Sequence, residues 1–140
     1  MLNVWLPGPP VAASRPRVTK NGTYTPARYR RWKQAARDQL TLDYRAEPMV
    51  GPLTVVVDAY WPRPKRMRDG PRAHRMGNED TDNVGKAVLD AGNGILYGDD
   101  RQVVELIVRK WYAGTGTAPG VAVSILGAVA GTDCTGGDNA

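Results

Sequence analysis

The sequence predicts an α+β fold: a single domain with a mixed or antiparallel sheet of about four strands and two main helices packed on it. Three observations carry that expectation. A chain of 140 residues is long enough for one compact core and too short for two. The run Leu53 to Trp61 is rich in β-branched residues, with Val55, Val56 and Val57 apolar on both faces, as a central strand requires. Two segments with apolar residues at helical spacing then fall among strand-like stretches without regular alternation. The order is strand, small hairpin, helix, strand, basic loop, helix, strand, strand.

Leu2, Val4 and Leu6 alternate with Asn3 and Trp5 in a short strand that Pro7, Pro9 and Pro10 end. A basic hairpin follows, Arg15-Pro16-Arg17-Val18-Thr19-Lys20, with Asn21-Gly22 as the turn and Thr23-Tyr24-Thr25 as the return; Asn-Gly supplies the positive φ angles of a two-residue turn. Thr25 as N-cap and Pro26 at the first helical position open a helix reaching about Leu42. Tyr29, Trp32, Ala36 and Leu40 form its apolar stripe and Arg30, Lys33 and Arg37 an adjoining basic flank, solvated in the ordinary case. After the central strand comes a proline-containing basic loop, Arg63, Lys65, Arg66, Arg68, Arg72 and Arg75, which is read as phosphate-binding charge beside the site described next. Its one histidine, His74, has no cysteine nearby, and a zinc site is rejected.

The second helix starts directly after Asp80 and Asp82, with Val84, Ala87, Val88 and Ala91 as its apolar face, Asp82 or Thr81 as N-cap, and Gly92, Asn93 and Gly94 as its stop. Lys86 lies four residues past Asp82 and Asp90 four past Lys86, so all three line one flank. The chain returns through Ile95, Leu96 and Tyr97 to Asp99 and Asp100, at the start of a strand from Val103 to Tyr112. A second strand, Val121 to Leu126, is expected to pair with it as an antiparallel hairpin. Residues 128–140, rich in Gly, Thr, Asp and Asn, are expected to be a disordered tail to a domain of residues 1–127.

Spacing alone leaves two readings of the carboxylates. Aspartates before helices are commonly caps, Asp-Asp pairs in turns are commonly solvated, and an i, i+4 Asp–Lys pair is commonly a surface ion pair. Alternatively, several carboxylates brought together need a cation. Oxygen-only ligands suit a hard ion such as magnesium, which takes a few carboxylates plus substrate phosphate oxygens. Such a site does phosphoryl chemistry, with Lys86 placed to stabilise a developing negative oxygen.

The run Asp80-Thr81-Asp82-Asn83-Val84-Gly85-Lys86-Ala87-Val88-Leu89-Asp90, then Asn93-Gly94, then Asp99-Asp100-Arg101-Gln102-Val103 resembles the signature of the RusA family of Holliday junction resolvases. The resemblance extends more loosely to Pro7, Arg15-Pro16-Arg17 and Tyr24-Thr25-Pro26. It implies that Asp80, Asp82 and Asp100 bind the metal, that these three and Lys86 are catalytic, and that Asp99, Asp90 and Asn83 are accessory. It also implies magnesium, or manganese in its place, as cofactor. The implied activity is paired, symmetric cleavage of four-way DNA junctions by a homodimer, in recombination and repair, often in phages or prophages. Arg15, Arg17, Lys20, Arg63, Lys65, Arg66, Arg68, Arg72 and Arg75 are then the DNA-binding candidates. Gly85 and Gly92 depart from the commoner family pattern, where larger apolar residues stand. Each glycine in a helix costs about 1 kcal/mol relative to alanine.

The formal charge of +5 favours a polyanionic partner. The single cysteine, Cys134, excludes an intramolecular disulfide and fits a reducing cytoplasm. No apolar run approaches membrane-spanning length, and a soluble, cytoplasmic protein is expected. Two rivals to junction resolution stand beside it: a metal-dependent nuclease acting on flaps or single strands, and a non-catalytic DNA-binding module. Trp5, Trp61 and Trp111 are the large apolar groups available to a dimer face, and none of them singles one out.

Overall fold

A computed structural model describes residues 1–128 of the chain. Their elements, in order, are β1 (Leu2–Pro7), β2 (Arg17–Thr19), β3 (Gly22–Tyr24), α1 (Ala27–Asp43), β4 (Leu53–Trp61), β5 (Ala73–His74), α2 (Thr81–Gly92), a 3-10 turn (Asp100–Gln102), β6 (Val103–Tyr112) and β7 (Gly120–Gly127). Among these residues one mixed sheet has five strands in the order β1-β7-β4-β6-β5, and β2-β3 form a separate hairpin. The expected α+β domain with two helices on a mixed sheet is the one observed. Expectations for residues past Ala128, Cys134 among them, lie outside the described residues. No helix among the described residues is long and apolar enough to cross a membrane.

The sheet is built around β4, whose side chains alternate between buried and half-buried along its whole length. Val55, Val57 and Ala59 point to the helix side, where Leu40, Val84, Val88 and Ala91 meet them. Such a strand needs a neighbour on both edges, and the expected hairpin between β6 and β7 does not form. Both strands pair with β4 instead, β6 parallel and β7 antiparallel. The connection from β6 to β7 therefore passes over the end of β4, tied by Ala113 N–H to the Trp61 carbonyl at 2.8 Å.

Two boundaries shift by a residue from expectation. The β2-β3 register pairs Thr19 with Gly22, so the turn residues are Lys20 and Asn21. Gly22 alone takes positive φ, at 117°, because the Thr19 hydroxyl accepts from Asn21 N–H and donates to the Gly22 carbonyl, which holds a turn without left-handed Asn. In α1, Pro26 stands at the N-cap position and its carbonyl accepts the first helical bond, from Arg30 at 3.1 Å.

The helices are locked end to flank. Arg37 of α1 donates from Nη1 to the carbonyls of Ala91 at 3.1 Å and Asn93 at 2.7 Å, satisfying groups that a helix C-terminus leaves open. Gly85 explains how α2 sits so close to the sheet. A Cβ there would lie 3.0 Å from both Leu106 Cδ2 and Val108 Cγ2, so this departure from the family pattern is a close-packing contact between α2 and β6.

Candidate active site

Asp80 takes the N-cap position of α2 with extended φ and ψ of −73° and 143°, and its side chain makes no capping hydrogen bond. The N-cap was expected at Thr81 or Asp82. The Asp80 carbonyl instead accepts from Val84 N–H at 3.0 Å, which places the helix start one residue earlier and leaves both carboxylates exposed. Two unengaged carboxylates at a helix N-terminus are favoured by its partial positive charge. The plain capping role is therefore absent at Asp80.

Lys86 and Asp90 follow on the same flank, Nζ to Oδ2 3.4 Å. Asp90 is fixed from the other side by the Tyr29 hydroxyl of α1, which donates to Oδ2 at 2.7 Å. Burial first, and then the Asp90 carboxylate, push the Tyr29 phenol well above the usual tyrosine range. It stays a proton donor under all ordinary conditions. Tyr29 belongs to the core, as its place in the stripe implied, but its oxygen reaches the flank.

The Asn83 carbonyl accepts from Ala13 N–H at 2.9 Å and draws the segment before β2 against α2. Between that segment, α1 and α2 lies a cleft of about 560 Å³. One wall carries Asp82, Asn83, Lys86 and Asp90, and the other carries Arg15, Arg30 and Lys33. Arg30 and Lys33 were read from sequence only as a solvated flank. Their spacing of three, on the side of α1 next to Tyr29, is the signal that would have placed them here.

Asp100 is not in this cleft. It lies beyond the C-terminal end of α2, a helix whose 12 residues span about 18 Å, whereas Asp80 and Asp82 stand at its start. Among the described residues no three His, Cys, Asp or Glu side chains are close enough to hold one ion together. Asp99 has a structural part. It caps the 3-10 turn, accepting from Arg101 N–H at 2.8 Å, while Gln102 Oε1 accepts from Asp99 N–H at 3.1 Å. The bond from Arg101 N–H, with the Arg101 charge behind it, holds the Asp99 carboxyl below the usual carboxylate range. Gln102 also donates to the Met49 carbonyl at 2.9 Å, so Asp99 and Gln102 anchor the start of β6.

The predicted DNA-binding cations divide into two groups. Arg17, Lys20, Lys65, Arg66 and Arg68 are exposed, as is Arg15 at the cleft. Arg63 is committed to carbonyls, of Arg68 at 2.6 Å and Pro71 at 2.9 Å, and staples the basic loop. Arg72 lies 3.9 Å over the Trp111 ring. Arg75 lies 4.2 Å over Trp61 and binds Glu79 at 2.6 Å. Burial would raise the Glu79 carboxyl, but the Arg75 hydrogen bond and charge outweigh it and hold it below the usual range. His74 stacks on Trp111 at 4.2 Å.

Two comparisons bear on this arrangement. The family model described as "Endodeoxyribonuclease RusA" matches residues 7–126. The chain is also 33% identical over 120 residues to "Uncharacterized protein YqaN" of Bacillus subtilis (strain 168), covering 76% of this chain and 84% of that protein.

Proposed function

The chain belongs to the RusA endodeoxyribonuclease family, and from that premise we propose that it resolves four-way DNA junctions by paired, symmetric, metal-dependent cleavage at the cleft beside the start of α2. The observation that carries this reading is the cleft itself. Asp82 and Lys86 stand on one wall, and the wall opposite is basic through Arg15, Arg30 and Lys33. A phosphodiester backbone drawn along the basic wall meets carboxylates and an ammonium group together.

Asp80 and Asp82 offer an all-oxygen donor pair with both carboxylates unengaged. Magnesium commonly takes one or two carboxylates and completes its shell with water and substrate phosphate, so the pair fits that ion, and manganese equally. When bound, the ion supplies Lewis acidity at the phosphate and lowers the proton affinity of the attacking water. Lys86 places its ammonium where charge develops on phosphate oxygen. Asp90, fixed by Tyr29, positions Lys86. Arg15, Arg30 and Lys33 hold the backbone, and the exposed Arg17, Lys20, Lys65, Arg66 and Arg68 extend the contact to further arms of the junction.

Two-fold substrates are matched by two-fold enzymes, so the active form is a homodimer with one cleft per chain. The separation of Asp100 from Asp82 along α2 supports this, since Asp100 would join such a site only from a second copy. Cleavage of an end-labelled four-way junction with magnesium, in competition with flap, single-stranded and linear duplex DNA, tests the reading. Paired nicks at symmetric positions are expected. Preference for flaps or single strands would move the assignment to the first rival, and tight binding without cleavage under any divalent ion to the second.

A further inference from the structure

β6 carries one more helix-side residue past the two that pack on α2. Leu106 and Val108 lie against Gly85, and by the alternation of a strand Lys110 is next on that side. Its half-buried side chain reaches the segment that leads into α2, where Nζ donates to the Glu79 carbonyl at 2.6 Å. The backbone of the same residue holds the other end of that segment, because the Lys110 carbonyl accepts from Arg75 N–H at 3.0 Å. Arg75 closes the loop from within. Its guanidinium binds Glu79 Oε1 at 2.6 Å and lies over the rings of Trp61 and Tyr112, at 4.2 and 5.8 Å. A Cβ at Gly77 would run into that guanidinium, so the glycine leaves it room.

The Glu79 carbonyl and the Asp80 N–H share one rigid peptide plane. Lys110 therefore fixes the plane before the Asp80 Cα, and the bond from Val84 N–H to the Asp80 carbonyl, at 3.0 Å, fixes the plane after it. With both planes held, φ and ψ of Asp80 are set at −73° and 143°, and so is the direction of its Cα–Cβ bond. The carboxylate itself makes no capping bond, so its direction comes from the backbone. We infer that Lys110 is a positioning residue for Asp80, holding that carboxylate where it can share a divalent ion with Asp82, with Arg75 and Glu79 as the brace. The inference rests on the metal-binding reading of Asp80 given above and adds the residue that presets it. Two carboxylates held together without an ion repel, and an unclipped segment would let Asp80 swing away from Asp82. A clip that acts before the ion arrives removes that cost from binding. Charge alone predicts the opposite sign. A cation beside a cation site opposes binding, so removing the Lys110 ammonium would tighten the ion if charge were its only effect, and weakens it if the ammonium positions Asp80.

Manganese alone, titrated into DNA-free protein and followed by the electron paramagnetic resonance of the free ion, reads this without any cleavage. Lys110→Met, which keeps the stem and loses the donor, is expected to bind manganese about 10-fold more weakly than wild type, as is typical when a group behind a metal ligand is removed. Lys110→Arg restores a charged donor and is expected to recover most of that loss. Arg75→Met breaks the brace, leaves the Lys110 ammonium in place, and is expected to weaken binding in the same direction by less. Each variant is also melted, and Arg37→Ala is the control for lost stability. It acts at the far end of α2, and should melt lower while binding manganese as wild type does. Unchanged or tighter manganese binding by Lys110→Met, no recovery in Lys110→Arg, or affinities that follow melting temperature with Arg37→Ala included would overturn the inference and leave the metal reading of Asp80 standing. Arg75→Met at wild-type affinity overturns it even where Lys110→Met does not fold. A wild type that binds no manganese overturns both readings.

Discussion

Removing one oxygen atom, by Tyr29→Phe, tests whether α1 holds the working flank of α2 in place. The Tyr29 hydroxyl donates to Asp90 Oδ2 at 2.7 Å, and Asp90 in turn holds Lys86. A hydrogen bond to a charged acceptor contributes about 1.5–3 kcal/mol. The Asp90 side chain is 21% exposed, so water replaces part of what is lost, and the lower end, about 1.5 kcal/mol, is expected. For a domain of this size that is a fall in Tm of roughly 5 °C. Lys86, 63% exposed, loses an anchored partner, and cleavage of a four-way junction is expected to slow by about 5- to 10-fold, equivalent to about 1–1.4 kcal/mol of barrier. DNA affinity should hold within about two-fold, because the basic wall is untouched. Since burial and Asp90 raise the Tyr29 pKa, the hydroxyl keeps its proton and the effect should be constant from about pH 6 to about pH 9. Thermal melting and single-turnover cleavage measure both parts. A Tm within about 1 °C of wild type together with an unchanged rate would refute the positioning chain from Tyr29 to Lys86.

Arg37→Ala should cost about 2 kcal/mol in urea unfolding, because the α2 carbonyls of Ala91 and Asn93 lose a charged donor at the negative helix end. Arg37→Lys should recover only part, since one ammonium group does not reproduce the guanidinium fork. On the helix-free face, Asp58 accepts from Arg109 Nε at 2.6 Å and Nη2 at 2.9 Å and from Trp111 Nε1 at 2.8 Å. Burial would raise its carboxyl, but the Arg109 and Trp111 hydrogen bonds hold it below its ordinary value of 3.8. A depressed folded pKa stabilises the fold fully above the unfolded value and is lost as pH falls through the folded one. Asp58→Asn should therefore be less stable than wild type at neutral pH, with the gap closing below about pH 4; a gap that stays constant down to about pH 2 would contradict this. Gly85→Ala sets a helix-propensity gain of about 1 kcal/mol against overpacking of about 1–3 kcal/mol. Because its Cβ would meet Leu106 and the β-branched Val108 at 3.0 Å, a net loss in chemical denaturation is expected.

Much of this architecture can be read in the residues themselves. β4 is legible because a long β-branched run with both faces apolar fits only the middle of a sheet, and α2 because its apolar spacing and its glycine stop agree. Strand order is less legible. Patterning marks β6 and β7 as strands, but the demand of β4 for two neighbours, which separates them, is a tertiary effect. β5 is a two-residue strand inside a basic loop and carries no periodic signal of its own. At the site, the i, i+4 flank of Asp82, Lys86 and Asp90 follows from spacing alone, while the basic wall opposite does not, because it depends on where α1 docks. Charge in a sequence also has no address. Arg63, Arg72 and Arg75 look like Lys65 or Arg68 until their carbonyl and aromatic partners are seen. Asp99 and Asp100 are adjacent in sequence, yet only Asp99 caps the 3-10 turn, and Asp100 is half-buried at its start.

The most direct measurement is junction binding and cleavage by Asp82→Asn beside wild type, with magnesium. Asp82 is exposed, and Asn keeps its shape while giving up only the carboxylate's favourable place at the helix N-terminus, about 0.3–1 kcal/mol, so the variant should melt within about 3 °C of wild type and bind a four-way junction at least as tightly. Cleavage should fall by more than about 1000-fold, as expected when an essential carboxylate is removed from phosphoryl chemistry. A variant that folds, binds and cuts like wild type would place the chemistry elsewhere and contradict the assignment of the α2 cleft as the active site.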